Sequence, residues 1–468
     1  MCCWAVAQGL ELVAHNALEF IRPTLRSARP REPGCGCAMD RDALAVMPEA
    51  RPLPRSAATT TVKAGGSFRA LRSRPFRLYF GGQVVSASGS FLQQTAIGWL
   101  VLVRTGSPRD LGLVLAAGGI PSLLFGPWGG AVADRVDLRK LLVVTQTLFC
   151  LLAALLWGLA AAGKASVAAL VAIGVAGGVV QIADSPARQA FVSRLVPPDD
   201  LASAVSLNGV VVNSARVVGP ALAGVLIVTT GTTVCFGLNA LSYLAVIAAL
   251  LVIRPRKAGG PAPPGRQGVR EGLKYAAGRQ QLWLPLLMMS LVGLLAFNFA
   301  VVLPVFAKDT FHGTGGTYGL LTTMLSVGAV LGSLAVGFVH HPRRKYLLFA
   351  ALGFGVTSAA TAAAPNVAVA CVTLLVMGAT AFCFVTLCST TLQLHSSSAY
   401  RGRIMALWVF VYLGTTPIGS ILTGWIISAG GARTALLVGS GACLAAAVLA
   451  ALVHTPANPD EALTDLAR

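Results

Sequence analysis

The sequence predicts an all-α membrane protein with twelve transmembrane helices in two six-helix bundles and both termini cytoplasmic. Three observations carry this. Of the 468 residues, 55% are hydrophobic and only 11% are charged, whereas a soluble domain carries roughly 25% charged residues. Apolar runs of the length a helix needs to cross the hydrocarbon core recur along the chain. The runs are rich in Gly, Ala and Val and lack the alternation of barrel strands, so each satisfies its backbone as a helix.

Taken in order, residues 1–67 form an N-terminal tail. It is not a signal peptide, because Glu11, His15 and Glu19 interrupt any apolar core. Trp4, Ala7, Leu10, Ala14, Ala17 and Ile21 would share one face of an amphipathic helix. From Pro23 onward the Pro/Arg/Ala/Thr mixture reads as disorder. The alternative is a misassigned start, with translation beginning at Met39 or Met47. The N-terminal bundle, 68–253, holds runs 76–103, 109–133, 140–162, 165–187, 201–229 and 232–253. Residues 254–281 form a linker that starts Pro/Gly-rich and ends, over 268–281, in a short basic amphipathic helix on the membrane surface. The C-terminal bundle, 282–453, holds runs 282–307, 315–339, 345–363, 366–392, 403–428 and 432–453, and a tail, 454–468, follows.

The net charge of +19 would suggest nucleic acid in a soluble protein. Here the basic residues gather in alternate loops, such as Arg135, Arg139 and Lys140, Arg254 to Arg279, Arg343 to Lys345, and Arg401 with Arg403. That is the positive-inside pattern, and it places those loops in the cytoplasm. The expected partner is therefore a lipid bilayer, the cytoplasmic membrane of a bacterium, and not nucleic acid. The two halves also echo each other. Gly112 and Gly130 have the same spacing as Gly319 and Gly337, and a basic cluster, "LRK" or "RRK", soon follows each second glycine. A parallel repeat of six-helix halves is a transporter architecture.

The loop between runs 2 and 3 reads "GGAVADRVDLRK", residues 129–140. It resembles the loop signature of the major facilitator superfamily, with Gly130, Asp134, Arg135 and Arg139 matching and Asp137 standing where a second glycine is usual. The resemblance implies a cytoplasmic charge clasp that latches the two halves in the outward-open state. In run 5, "NSARVVGPALAG" carries Gly219, Pro220 and Gly224 and resembles the antiporter signature of that helix. Glycines there permit close approach, and Pro220 bends the helix. Runs 1 and 11 resemble the drug:proton antiporter branch, which includes enterobactin exporters and macrolide efflux proteins. The resemblance covers about residues 68–453 and implies proton-coupled export.

Candidate cavity residues are polar groups inside runs. Gln83, Ser86, Ser90 and Gln94 fall on one face of run 1, with Gln93 beside them. They face the bundle interior, either lining a substrate path or joining helices by hydrogen bonds. Asn208, Asn239 and Asn298 are of the same kind. Arg216 sits near the middle of run 5, where a cation costs roughly 2.5–3.5 kcal/mol on insertion scales. No carboxylate lies at its depth; Asp184 is nearer the cytoplasmic end of run 4 and is expected to pair with Arg188 or to join the Asp134 cluster. Arg216 contacts the run 1 glutamines, backbone carbonyls or an anionic substrate, or serves as fixed glue between helices. No P-loop is present, no cofactor is expected, and neither Cys2–Cys3 nor Cys35–Cys37 has a full metal-ligand set.

The expectation is a monomeric secondary transporter, not an enzyme. It would export a small molecule (a drug, siderophore or secreted metabolite) by alternating access with protons as the coupling ion. The alternatives are an uncoupled facilitator and a non-transporting membrane sensor or scaffold on the same fold.

Overall fold

The computed structural model describes residues 68–133, 136–253, 269–337, 344–397 and 400–453. The expectations for the N-terminal tail, for most of the linker before residue 269 and for the C-terminal tail lie outside these residues.

Every regular element among the described residues is helical. After a short 3-10 turn come α1 (Arg74–Thr105), α2 (Pro108–Ala133), α3 (Leu138–Ala161), α4 (Val167–Val192), α5 (Leu201–Thr229) and α6 (Thr232–Val252). The linker contributes α7 (Val269–Ala277). Then follow α8 (Gln280–Leu295), α9 (Phe299–Val305), α10 (Gly315–Val336), α11 (Arg344–Ala362), α12 (Val367–His395) and α13 (Arg401–Leu452). Ten of the described helical segments are long and apolar enough to cross a membrane. The other two crossings are explained by composition and by a bend. In α1, the Gln and Ser stripe dilutes the hydropathy of a helix that is nevertheless 32 residues long. In α13, two runs are joined at Gly431, whose φ of 82° and ψ of 174° break the helix into two arms.

Local chemistry sets the ends. Asp137, the residue that departs from the family's second glycine, is the N-cap of α3 and accepts from the Lys140 backbone N–H at 3.0 Å. Ser166 caps α4 and Asn366 caps α12 in the same way. Gly231, with φ of 85° and ψ of 170°, makes the turn between α5 and α6, as Gly431 does in the other half; only glycine adopts this conformation without strain. Two expectations need correction. Run 7 is not one helix: it breaks over residues 296–298, then resumes as α9 and a π turn, Phe306–Thr310. Run 4 does not stop at residue 187. It continues to Val192, because the Asp184 and Arg188 charges meet one helical turn apart and are satisfied within the span.

Packing forms two sets of helices. In the first, α1 packs on α5 and α6, α2 on α4, and α3 on α4 and α6. In the second, α8 packs on α13, α10 on α12, and α11 on α12 and α13. The helix-end contacts repeat as well. Arg139, at the start of α3, donates to the Leu250 and Leu251 carbonyls at the end of α6, at 2.7 and 2.5 Å. Arg344, at the start of α11, donates to the Ala450 and Ala451 carbonyls at the end of α13. Each arginine satisfies orphan carbonyls and sits at the negative end of a helix dipole.

Candidate functional site

Two seams join the sets: α2 against the first arm of α13, and α5 against α10. Glycines allow the backbones to touch. A Cβ on Gly112 would lie 2.4 Å from the Ser420 carbonyl oxygen, and one on Gly119 would lie 2.5 Å from the Pro417 ring. A Cβ on Gly424 would meet the Pro108 carbonyl at 2.6 Å, and one on Gly319 would meet the Gly224 Cα at 2.4 Å. Most of these contacts lie toward the end away from the basic loops. Nearer those loops the same faces part. Gly126, two turns beyond Gly119, has nothing within 4 Å of an added Cβ, and neither has Gly209, two turns before Arg216. Phe410, two turns before Pro417, is exposed.

Arg216 lies halfway along α5, where the seams give way to this gap. It is half-buried. Its guanidinium carbon lies over the Phe382 ring of α12, 4.7 Å from the centroid, and 6.0 Å from that of Phe91 on α1. Phe382 belongs to an aromatic wall. Phe297 meets Phe382 edge-on at 5.9 Å and Tyr412 at 6.3 Å, and Tyr412 stacks on Trp408. The ring quadrupole stabilises the cation without accepting any of its N–H groups. No carboxylate pairs with Arg216 among the described residues.

A second polar centre lies within the first set. Asp184, fully buried, accepts from the Thr145 hydroxyl at 2.7 Å and the Gln146 amide at 2.8 Å. Its other oxygen accepts from Arg188 Nη2 at 2.6 Å and Nε at 3.2 Å. Arg188 also donates to Gln83 Oε1 at 2.5 Å, which ties α1, α3 and α4 together. Two turns of α1 further on, Ser90 shares a hydrogen bond with Tyr243 and donates to the Ser86 carbonyl. Asn239 donates to Gln93 Oε1.

The eight cavity candidates therefore divide. Gln83, Ser86, Asn239 and Asn298 are buried in this structure. The reason is local. Gln83 and Asn239 have partners on neighbouring helices. Asn298 sits in the break between α8 and α9, donates to the Leu294 carbonyl and is within 3.5 Å of the Ser420 hydroxyl. Ser90, Asn208 and Arg216 are half-buried and Gln94 is exposed. Gln94 stands one turn beyond Phe91, on the side of α1 that approaches Arg216. Of the partners expected for Arg216, the run 1 glutamines make no hydrogen bond to it among the described residues, and its contacts are to the Phe382 and Phe91 rings. Gly219 packs on α1, where a Cβ would lie 2.5 Å from Phe91 Cβ, while Gly224 packs on α10 and Pro220 is buried between them. Of the clasp residues, Gly130 belongs to α2, and Asp134 and Arg135 lie outside the described residues. The hydrogen bonds of Arg139 stay within the first set and do not cross to the second.

Sequence reasoning missed the aromatic wall and the polar side of α3. Aromatic residues inside apolar runs look like packing. Gln146 and Thr145, however, are polar residues in a span, and the criterion that selected Gln83 selects them too.

Residues 65–467 match the family described as transmembrane secretion effector. The chain belongs to this family of the major facilitator superfamily. Among curated relatives, the staphyloferrin A transporter of Staphylococcus aureus is 24% identical over 56% of this chain. That match spans just under two thirds of the relative, 66%. The multidrug efflux pump Tap of Mycolicibacterium fortuitum is 25% identical over 78% of this chain and 91% of its own length. Macrolide efflux protein A of Streptococcus pyogenes is 21% identical over 74% and 88%. Among solved structures, an inward-facing, unoccupied bacterial homologue of the human lysosomal transporter Spinster superposes with a TM-score of 0.65, covering 81% of this chain and 95% of that one at 14% identity. The D-xylose–proton symporter gives 0.65 at 16% identity, covering 81% and 97%. The fold is that of the superfamily, and the protein is a multi-pass protein of the cell membrane. Its relatives are transporters of small molecules, not enzymes.

Proposed function

We infer that this family member exports a small molecule from the cytoplasm by alternating access, with the substrate held in the gap around Arg216. The observation that carries this is the asymmetry of the two seams. They are tight at the end away from the basic loops, and the same helix faces separate toward those loops. With the basic loops cytoplasmic, this is the inward-open state, in which an exporter loads. The substrate class follows the sequence resemblance and the relatives: a siderophore or secreted metabolite, or a drug-like compound, with staphyloferrin A, multiple drugs and macrolides named for the relatives.

The finer features of the mechanism belong to the same reading. Asp134 and Arg135 form the clasp that holds the opposite, outward-open state. Protons are the coupling ion implied by the family resemblance, and the monomer is the working unit. The test is a comparison of metabolites retained by cells with and without the protein. Retention of a compound in the deletant, reversed by re-expression, supports export. No difference under any growth condition favours a non-transporting sensor or scaffold.

A further inference from the structure

We propose that the site at Arg216 selects aromatic carboxylates. This rests on the export reading above and names the chemistry of its cargo. The guanidinium carbon lies over the Phe382 ring at 4.7 Å, with the Phe91 ring at 6.0 Å. An aromatic ring offers no lone pair, so these contacts supply no conventional acceptor to the N–H fork. Among the described residues no carboxylate pairs with it, and no hydrogen-bond acceptor is recorded for it. A planar fork left without an acceptor on a half-buried side chain matches a carboxylate bidentately. Beside it stand rings: Phe382 itself, Phe297 and Tyr412. An apolar aromatic ligand would stack there while its acid group meets the fork. The one carboxylate deep within a span among the described residues, Asp184, is already bonded to Arg188, Thr145 and Gln146. It therefore places no free negative charge in the gap to repel such a ligand.

The positive charge of Arg216 repels a cationic cargo, and for a neutral one a midplane arginine is only a cost. A purely structural arginine is expected to be sealed and hydrogen-bonded, and Arg216 is half-buried.

Binding of naphthoate and of its neutral amide, naphthamide, to the purified full-length protein tests this. The two probes share the ring system and differ in charge. Naphthoate is expected to bind about tenfold to a hundredfold more tightly, the range of a charge-assisted pair. Arg216→Gln should abolish that preference with little change in Tm. Arg216→Lys, which keeps the charge but not the fork, should retain only part of it. If Arg216→Gln does not fold, the lysine variant decides the matter, and an undiminished preference there overturns the fork. Equal binding of the two probes, binding of neither at millimolar concentration, or a preference that survives in Arg216→Gln overturns the proposal. Uptake of naphthoate into inverted vesicles separates the two readings. Selective binding without movement leaves the site assignment standing and refutes export, whereas movement of other cargo without carboxylate preference refutes only the present inference.

Discussion

Asp184 illustrates how a residue inside the membrane is made tolerable. Its carboxylate is fully buried and accepts hydrogen bonds from Thr145, Gln146 and Arg188. Removing one member of such a pair strands the other. Arg188→Ala should therefore lower stability by about 3–5 kcal/mol, read as a lower melting temperature of the detergent-solubilised protein. Replacing both together with apolar residues of similar size, Asp184→Leu with Arg188→Met, should recover most of the loss, because the buried pair is satisfied but also expensive to desolvate. A double variant no better than the single one would show that the pair holds α1, α3 and α4 in place by more than its own charge. The pairing was legible, since the two charges stand one turn apart. The partners from other helices were not, because their spacing along the chain says nothing of distance in space. Arg216 was legible as an anomaly, a midplane cation without a carboxylate. Its aromatic contacts were not, because Phe91 and Phe382 lie far apart in sequence.

Among the elements, turns and caps were easier to read than breaks. Gly231 and Gly431 fell between runs and prove to be left-handed turns. The loop motif predicted glycine at position 137, and the aspartate found there caps α3 instead. Asp137→Ala should cost about 1 kcal/mol, and Asp137→Asn, which retains the cap, much less; thermal unfolding distinguishes them. The break between α8 and α9 was hidden, because a single Asn at the break and a Pro within the helix on each side of it, all in one long apolar run, do not announce a non-helical stretch. The seams make a sharper prediction. A side chain on Gly319 meets the backbone of α5, with the Gly224 Cα 2.4 Å from its Cβ, and backbone cannot step aside. Gly319→Leu should block closure of the end away from the basic loops. An engineered cysteine on that end of the gap should then react faster with an impermeant thiol reagent in the variant than in the parent. Equal labelling would mean that the seam opens and closes without this contact.

For the molecule as a whole, composition and run spacing were enough to predict the fold. The order of packing was not, because several helices lie on partners distant in sequence: α1 lies on α5 and α6. What moves was legible only through the loop signature. If Asp134 helps hold the outward-open state, Asp134→Asn should slow efflux several-fold at equal expression, with insertion and melting temperature unchanged. Efflux at the parent rate would remove the clasp from the mechanism.

Arg216 brings a positive charge that no described carboxylate cancels. When a monoanionic cargo is aboard, the moving centre is close to neutral, and the loaded step feels little of the membrane voltage. The empty carrier is different. On the export reading, the return from facing out to facing in without cargo moves a net cation, with or without a coupled proton, toward the negative interior through part of the field, where a full traverse at 100 mV is worth about 2.3 kcal/mol. On that reading the voltage favours the cargo-free return and acts little on the loaded step. Current recordings on oriented proteoliposomes should show a charge displacement in the substrate-free protein, suppressed by saturating naphthoate and missing in Arg216→Gln. A silent empty carrier would mean that the arginine does not change its exposure to the field during the cycle.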